Sequence, residues 1–318
     1  MLRRVSVDVV PATPTTESPE GSPLRVPSSP APAVAKAFRR LLSGHPDGTP
    51  PWVQRITTGD RDCLVEPEGP SWAVHGSLTT LVGGVRALMM QALQPAAVTG
   101  VAEHSAYETD TIGRLRRTTQ WLVITTFADV ATAESVAAGV RGMHERVTGT
   151  GPDGRPYAAS DPELLRWVHD AFTDSFLSAH LALGGTEIPG GPDAYVAEWA
   201  VSAQLLGATD LPASYAELRD QLEGFRSDPG FGRAPATNDV AAFLRAPNLP
   251  VVYRGPYRVL AMAAAATLDP RDAALLGLAQ RPGAVKAARG LLDILTWALS
   301  STSPAERAAR IRLGLGPV

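Results

Sequence analysis

SWAVHGSLTTLVGGVRALMMQAL, residues Ser71–Leu93, is apolar nearly all round. A surface helix keeps one polar face, so a stretch without one predicts a central helix that others cover. Gly83-Gly84 lies inside it and predicts a close approach by a second helix, because a residue without Cβ lets a neighbour in. Outward from this stretch the helical pattern continues. Pro95–Ser105 predicts a short helix, and Asp110–Ala128 a longer one with an acidic cap. Ala133–Thr148 and Ser160–Leu183 follow, the latter opening on Ser160-Asp161-Pro162-Glu163, a cap followed by proline and an acid in the first turn. Further helices are expected at Pro192–Leu206, Ser214–Phe225, Thr237–Arg245, Pro256–Thr267, Pro270–Ala279, Pro282–Leu299 and Pro304–Arg310. Gly149–Ala159, dense in Gly and Pro, reads as a loop, and Val251–Tyr253 is the best candidate for a strand. The fold class is all-α: a single globular multi-helix domain over residues 31–318. Its first element is a short helix at Ala31–Ser43, preceded by a Pro/Ser/Thr-rich tail at residues 1–30 that reads as disordered.

The net charge of -3 argues against nucleic acid or an anionic membrane as the main partner, since both call for a basic footprint. A single cysteine, Cys63, excludes an internal disulfide framework and a cysteine-rich metal site. No run approaches the ~20 apolar residues of a membrane span, and Arg3-Arg4 is not followed by an apolar signal region. A cytoplasmic setting is the simplest expectation. The apolar stretch Leu291–Leu299 packs either inside or against a partner, which leaves homo-oligomers open.

Several helical chemistries fail on their motifs. His144-Glu145 begins a zincin sequence, but residue 148 is threonine. No pair of Glu-x-x-His segments offers a di-iron centre. An Asp-rich magnesium motif, a Walker loop and a dinucleotide glycine fingerprint are all missing. What remains is histidine and arginine. In AESVAAGVRGMHERVT, residues Ala133–Thr148, Val136, Val140 and His144 recur on one face with Met143 and Val147 beside them. On the next helix His169 shares a face with Leu165, Phe172 and Phe176. A histidine on an apolar face is either a hydrogen-bonded core residue or a ligand, and pattern alone leaves both open. His75 and His180 read as core or helix-edge residues, and His104 as a partner for its helix C-terminus.

Arg114 and Arg117 share a helix face, and Arg141 lies one turn before His144. A flat apolar ligand carrying two carboxylates would suit this mixture. Imidazole would take the iron of a haem, and guanidinium groups would pair with its propionates. The alternative for the arginines is a solvated, salt-bridged helix face.

Five segments, in order, then resemble a known family. They are Gly83-Gly84-Val85-Arg86-Ala87-Leu88 with Gln91-Ala92-Leu93, Gly100-Val101-Ala102-Glu103-His104-Ser105, and Gly113-Arg114-Leu115-Arg116-Arg117-Thr118. Then come Val140-Arg141-Gly142-Met143-His144-Glu145-Arg146-Val147, and Gly154-Arg155-Pro156-Tyr157-Ala158-Ala159 with Trp167-Val168-His169. Over roughly Trp72–Phe225 the chain resembles the haem b oxygenases that include the latex-clearing rubber oxygenases and the endoplasmic-reticulum-bound oxygenase of the mycophenolate pathway. That resemblance implies haem b, with His144 as the proximal iron ligand. Arg114 and Thr118 would belong to the distal pocket, with His169 near the haem, while Arg117 and Arg141 stay candidates for the propionates on the arginine pattern above. Arg114, Thr118 and His169 are thereby the candidate catalytic residues. The chain departs from the pattern twice. Arg117 stands where rubber oxygenases carry a lysine that can cap the iron, and a guanidinium does not readily ligate metal. Gln94-Pro95 stands where many relatives have His-Pro. The expected function is a haem-dependent oxidoreductase acting on a small organic substrate, with molecular oxygen as co-substrate. A haem-binding sensor or carrier and a haem-free helical scaffold are the rival readings.

Overall fold

Asp161 starts the helix on which the rest is arranged. Its carboxylate accepts from the Glu163 and Leu164 amides (2.8 and 3.3 Å), Pro162 occupies the first helical position, and Gly184 at φ 75° ends the run. In the computed structural model this helix spans Pro162–Leu183. The structure describes residues 40, 43–45, 50–105, 111–299 and 303–316, without the side chains of 111, 112, 114 and 115. The expected tail at 1–30 and nearly all of the expected Ala31–Ser43 helix lie outside these.

Fourteen helices and one two-stranded hairpin make up the described chain. In order they are α1 (Pro51–Thr58), α2 (Pro70–Gly76), α3 (Thr80–Gln91), α4 (Pro95–His104), α5 (Thr111–Phe127) and α6 (Val130–His144). The hairpin β1 (Thr148–Thr150) and β2 (Pro156–Ala158) follows, and then α7 (Pro162–Leu183) and α8 (Gly191–Gln204). The last six are α9 (Tyr215–Arg226), α10 (Pro235–Arg245), α11 (Val251–Ala266), α12 (Pro270–Leu275), α13 (Ala284–Leu299) and α14 (Pro304–Leu313). The all-α class holds. Among the described residues no helix is long and apolar enough to cross a membrane.

α3 lies along α7. A Cβ built on Gly83 would stand 2.7 Å from Phe176 Cδ1 and 3.1 Å from its Cα, so glycine sets this approach, whereas Gly84 faces open space. Arg86 of α3 crosses the same seam. It pairs with Asp174 (2.7 Å), donates to Ser175 Oγ (2.8 Å), and reaches the Thr267 carbonyl after α11 (3.2 Å). Around them Met89, Met90, Leu93, Trp167, Leu177, Tyr195 and Leu218 form the main core. A second core, with Ile56, Trp72, Phe127 and Leu313, joins α1 and α14 to α5.

Three expectations need correction. Ser71–Leu93 is two helices, because Ser77 turns extended (ψ 144°) and its hydroxyl accepts from the Thr79 amide (3.2 Å). Short hydroxyl side chains offer the backbone this alternative to a helical bond. Val251–Tyr253 is the first turn of α11, after Pro250; three residues with no partner strand among the described ones have no sheet to join. Gly149–Ala159 contains the antiparallel hairpin, with Gly149 opposite Tyr157. Gln94 keeps a local role despite replacing histidine, since its side chain accepts from the Ala97 amide at the start of α4 (2.9 Å). On α13, Leu292 and Ala298 are buried while Ile294 and Trp297 face outward.

The two glycines make a matched test. Gly83→Ala forces a methyl into Phe176 and should destabilise by ~1–3 kcal/mol. Gly84→Ala meets nothing and should stabilise by ~0.5–1 kcal/mol through helix propensity. Thermal unfolding of both variants checks this, and equal effects would contradict the packing described.

Candidate functional site

α6 buries Val130, Ala133 and Ala137 in the core. Its other apolar stripe, Val136, Val140, Met143, His144 and Val147, faces a cavity of about 630 Å³. The periodicity is as expected, but the destination is a chamber and not the packed interior. The remaining walls come from α4, α5, α7, α8 and the hairpin, through residues such as Val101, Trp121, Tyr157, Val168, Phe172 and Trp199. A mostly apolar chamber with few polar groups is the usual form of a small-molecule site.

The cavity brings together four of the six residues expected at the site: Arg117, Thr118, His144 and His169. Arg114 sits one turn before Thr118 on α5, and its side chain lies outside the described residues. Arg141 is not in the lining; its guanidinium donates to the Leu205 carbonyl at the end of α8. That bond satisfies a helix C-terminus, a common use for arginine.

His144 closes α6 with a half-buried ring. Its Nδ1 is buried and has no hydrogen-bond partner among the described residues, and burial lowers the imidazole pKa. The helix C-terminus favours a charged ring, but desolvation wins and the ring is neutral at neutral pH. His169 is buried in α7, its Nε2 lies 3.3 Å from Thr173 Oγ1, and burial pushes its pKa down to about 3. His75 is structural. Thr126 gives its hydroxyl hydrogen to the Leu122 carbonyl (2.7 Å), so His75 Nδ1 donates to Thr126 (2.8 Å) and Nε2 accepts from Tyr195 (2.9 Å). His180 donates from Nε2 to the Thr186 carbonyl (2.7 Å).

Several polar lining residues were not singled out as site residues. Tyr157 donates its hydroxyl to Glu103 (2.8 Å), and burial with that carboxylate raises its pKa to about 12. His104 donates from Nε2 to the Thr148 carbonyl (3.1 Å). Both lie inside family-like segments, which was the available signal. Trp199 and Ser202 also line the cavity, but α8 buries residues around most of its girth and gives no stripe to read. Next to His169 on α7 but outside the lining, Asp170 has both carboxylate oxygens buried without partners among the described residues. Burial, opposed by Arg166 and aided by Asp174, raises its pKa to about 8. Among the described residues no three His, Cys, Asp or Glu side chains cluster as metal ligands.

The family model described as "ER-bound oxygenase mpaB/B'/Rubber oxygenase, catalytic domain" matches residues 72–300. The chain belongs to this oxygenase family. The match carries the family domain through α13, past the last family-like segment at Trp167-Val168-His169 and past Phe225, near which the stretch of clear resemblance ended. No curated protein and no solved structure matches the chain. Within the oxygenase domain the walls of the cavity all lie inside the matched span.

Neutral buried histidines make stability depend on pH. A group whose folded pKa is depressed stabilises above its unfolded pKa, and the contribution is lost as pH falls toward the folded value. For His169 the window runs from 6.5 down to about 3. Within it, His169→Gln should show a shallower fall of unfolding free energy, by roughly 1.4 kcal/mol per pH unit. Chemical denaturation at stepped pH checks this, and identical slopes in variant and wild type would contradict it.

Proposed function

We propose that the chain is a haem b-dependent oxygenase that takes a small organic substrate into the cavity walled by α4–α8. The observation that carries the haem reading is His144: a neutral imidazole with a buried, unpartnered nitrogen on the wall of an apolar chamber. An unpaired buried nitrogen is costly unless something binds the ring. Neutral imidazole is the form that ligates metal. The donor set fits as well. A metal held by protein alone needs several clustered ligands, whereas haem brings four nitrogens of its own and asks for one axial donor.

In this reading His144 would hold the haem iron through its neutral imidazole. Val136, Val140, Leu165 and Phe172 offer apolar surface to a macrocycle. The Arg117 guanidinium would pair with its carboxylates. Arg117 carries charge and no available lone pair, so it serves anions and leaves ligation to histidine. The bound group supplies redox chemistry with molecular oxygen, which no side chain here provides. The protein's own part is placement. Apolar walls exclude water from the substrate, and the Thr118 hydroxyl donates or accepts a hydrogen bond there. His169, neutral and engaged at Nε2 by Thr173, keeps Nδ1 for a substrate or a proton.

The absorption spectrum of the purified protein tests this. Haem gives an intense Soret band, and His144→Ala should lose it or shift it. Haem added to the haem-free chain should raise its melting temperature, a ligand at 100 times its Kd contributing about 2.7 kcal/mol. Unchanged spectrum and haem affinity in the variant would sink the assignment.

A further inference from the structure

Of the hairpin residues 148–158, only Tyr157 is buried. A hairpin in an all-α protein adds little to the core, and this one contributes a single interior side chain. That side chain lies in the cavity wall. Its ring is confined on two sides. A Cβ on Gly149, directly across the strands, would stand 2.6 Å from the Tyr157 hydroxyl oxygen. A Cβ on Gly100 of α4 would stand 3.2 Å from Cε2. The hydroxyl donates to Glu103, one turn further along α4 (2.8 Å). The hairpin is tied to the same helix by the His104–Thr148 bond (3.1 Å). Trp121, Phe172 and Trp199, the other large aromatic walls, sit on long helices held by the main cores.

We infer that Tyr157 is the residue that sets the size of molecule the cavity accepts, a rigid end wall whose ring is positioned by Glu103 and accommodated by Gly100 and Gly149. Glu103 is a positioning residue: it is not in the cavity lining and touches it through the Tyr157 hydroxyl and, at 4.0 Å, the His104 ring. Because the ring is confined by backbone on two sides, it yields little to a large ligand, and size discrimination follows from that stiffness. The inference concerns the wall and stands apart from the haem assignment.

The test uses two apolar probes, 2-naphthol and 1-hydroxypyrene, titrated calorimetrically into the full-length protein as purified. The absorption spectrum of the same sample reports haem separately, so the two readings can fail independently. Wild type should favour naphthol. Tyr157→Ala should shift the affinity ratio toward hydroxypyrene by about tenfold or more, the range that a change of pocket volume commands. Glu103→Ala should shift it in the same direction by less, and Glu103→Gln, which keeps an acceptor, should restore the wild-type ratio. Gly100→Ala adds a methyl to the same wall and should move the ratio the opposite way. A folded Tyr157→Ala protein with the wild-type ratio would overturn the inference. Should that variant not fold, an unchanged ratio in Gly100→Ala overturns it equally.

Discussion

The seam between α3 and α7 is the constraint on which the site depends. Glycine at 83 lets the backbones close on Phe176, and Arg86 then sits beside Asp174 in a place with almost no water. A charge pair so buried gains little over an apolar pair of the same shape, yet losing one partner costs ~3–5 kcal/mol because the other is stranded. The pair therefore acts as a lock on register more than as a source of stability. Register matters because α7 has two jobs. Asp174, Ser175 and Phe176 face α3, while Leu165, Val168, His169 and Phe172 face the cavity. A slip along α3 would turn His169 away from the chamber.

Desolvation gives the site its chemical character. His144 and His169 both have lowered pKa values with burial as the leading cause. Among the described residues neither meets a carboxylate that would hold it charged. The chamber thus presents the neutral imidazoles of His144 and His169, a few hydroxyls (Ser105, Thr118, Tyr157 and Ser202) and the guanidinium of Arg117 against mostly apolar walls. That set favours ligands that are apolar in bulk and anionic at one edge, and it leaves nitrogen lone pairs for metal.

Much of this was legible in the chain. Period told helix from strand across most of its length, and the cap at Asp161 placed α7 to within two residues. The stripe Val136–Val140–His144 was legible as a face, but period cannot tell a core from a chamber, since both are apolar. What escaped depended on contacts distant in sequence. Arg141 reads as an anion partner until Leu205 is seen to occupy it. Tyr157 reads as a loop residue until Gly149 and Gly100 are brought against its ring. The break at Ser77 was local and could have been suspected, because Gly76-Ser77 followed by Thr79-Thr80 offers hydroxyl partners to the backbone.

The C-terminal third carries none of the cavity's walls beyond α8 and the residues just after it, yet the family domain runs through it. The hydrogen bonds give the reason. Thr267 accepts from Arg86 through its carbonyl (3.2 Å), and Thr237 donates its hydroxyl to the Ala92 carbonyl at the end of α3 (2.9 Å). Gln280 donates to the Ala265 and Leu268 carbonyls (3.1 and 2.9 Å), tying the chain after α12 back to α11. α10 and the residue after α11 thus satisfy polar groups of α3 and its C-terminus that α7 leaves unpaired. Without them Arg86 and the carbonyl at the α3 terminus would stand buried and partly unpaired, a cost of roughly 1–3 kcal/mol for each group. The helices behind the site are therefore part of the machinery that holds α3, and through α3 the face of α7 that carries His169.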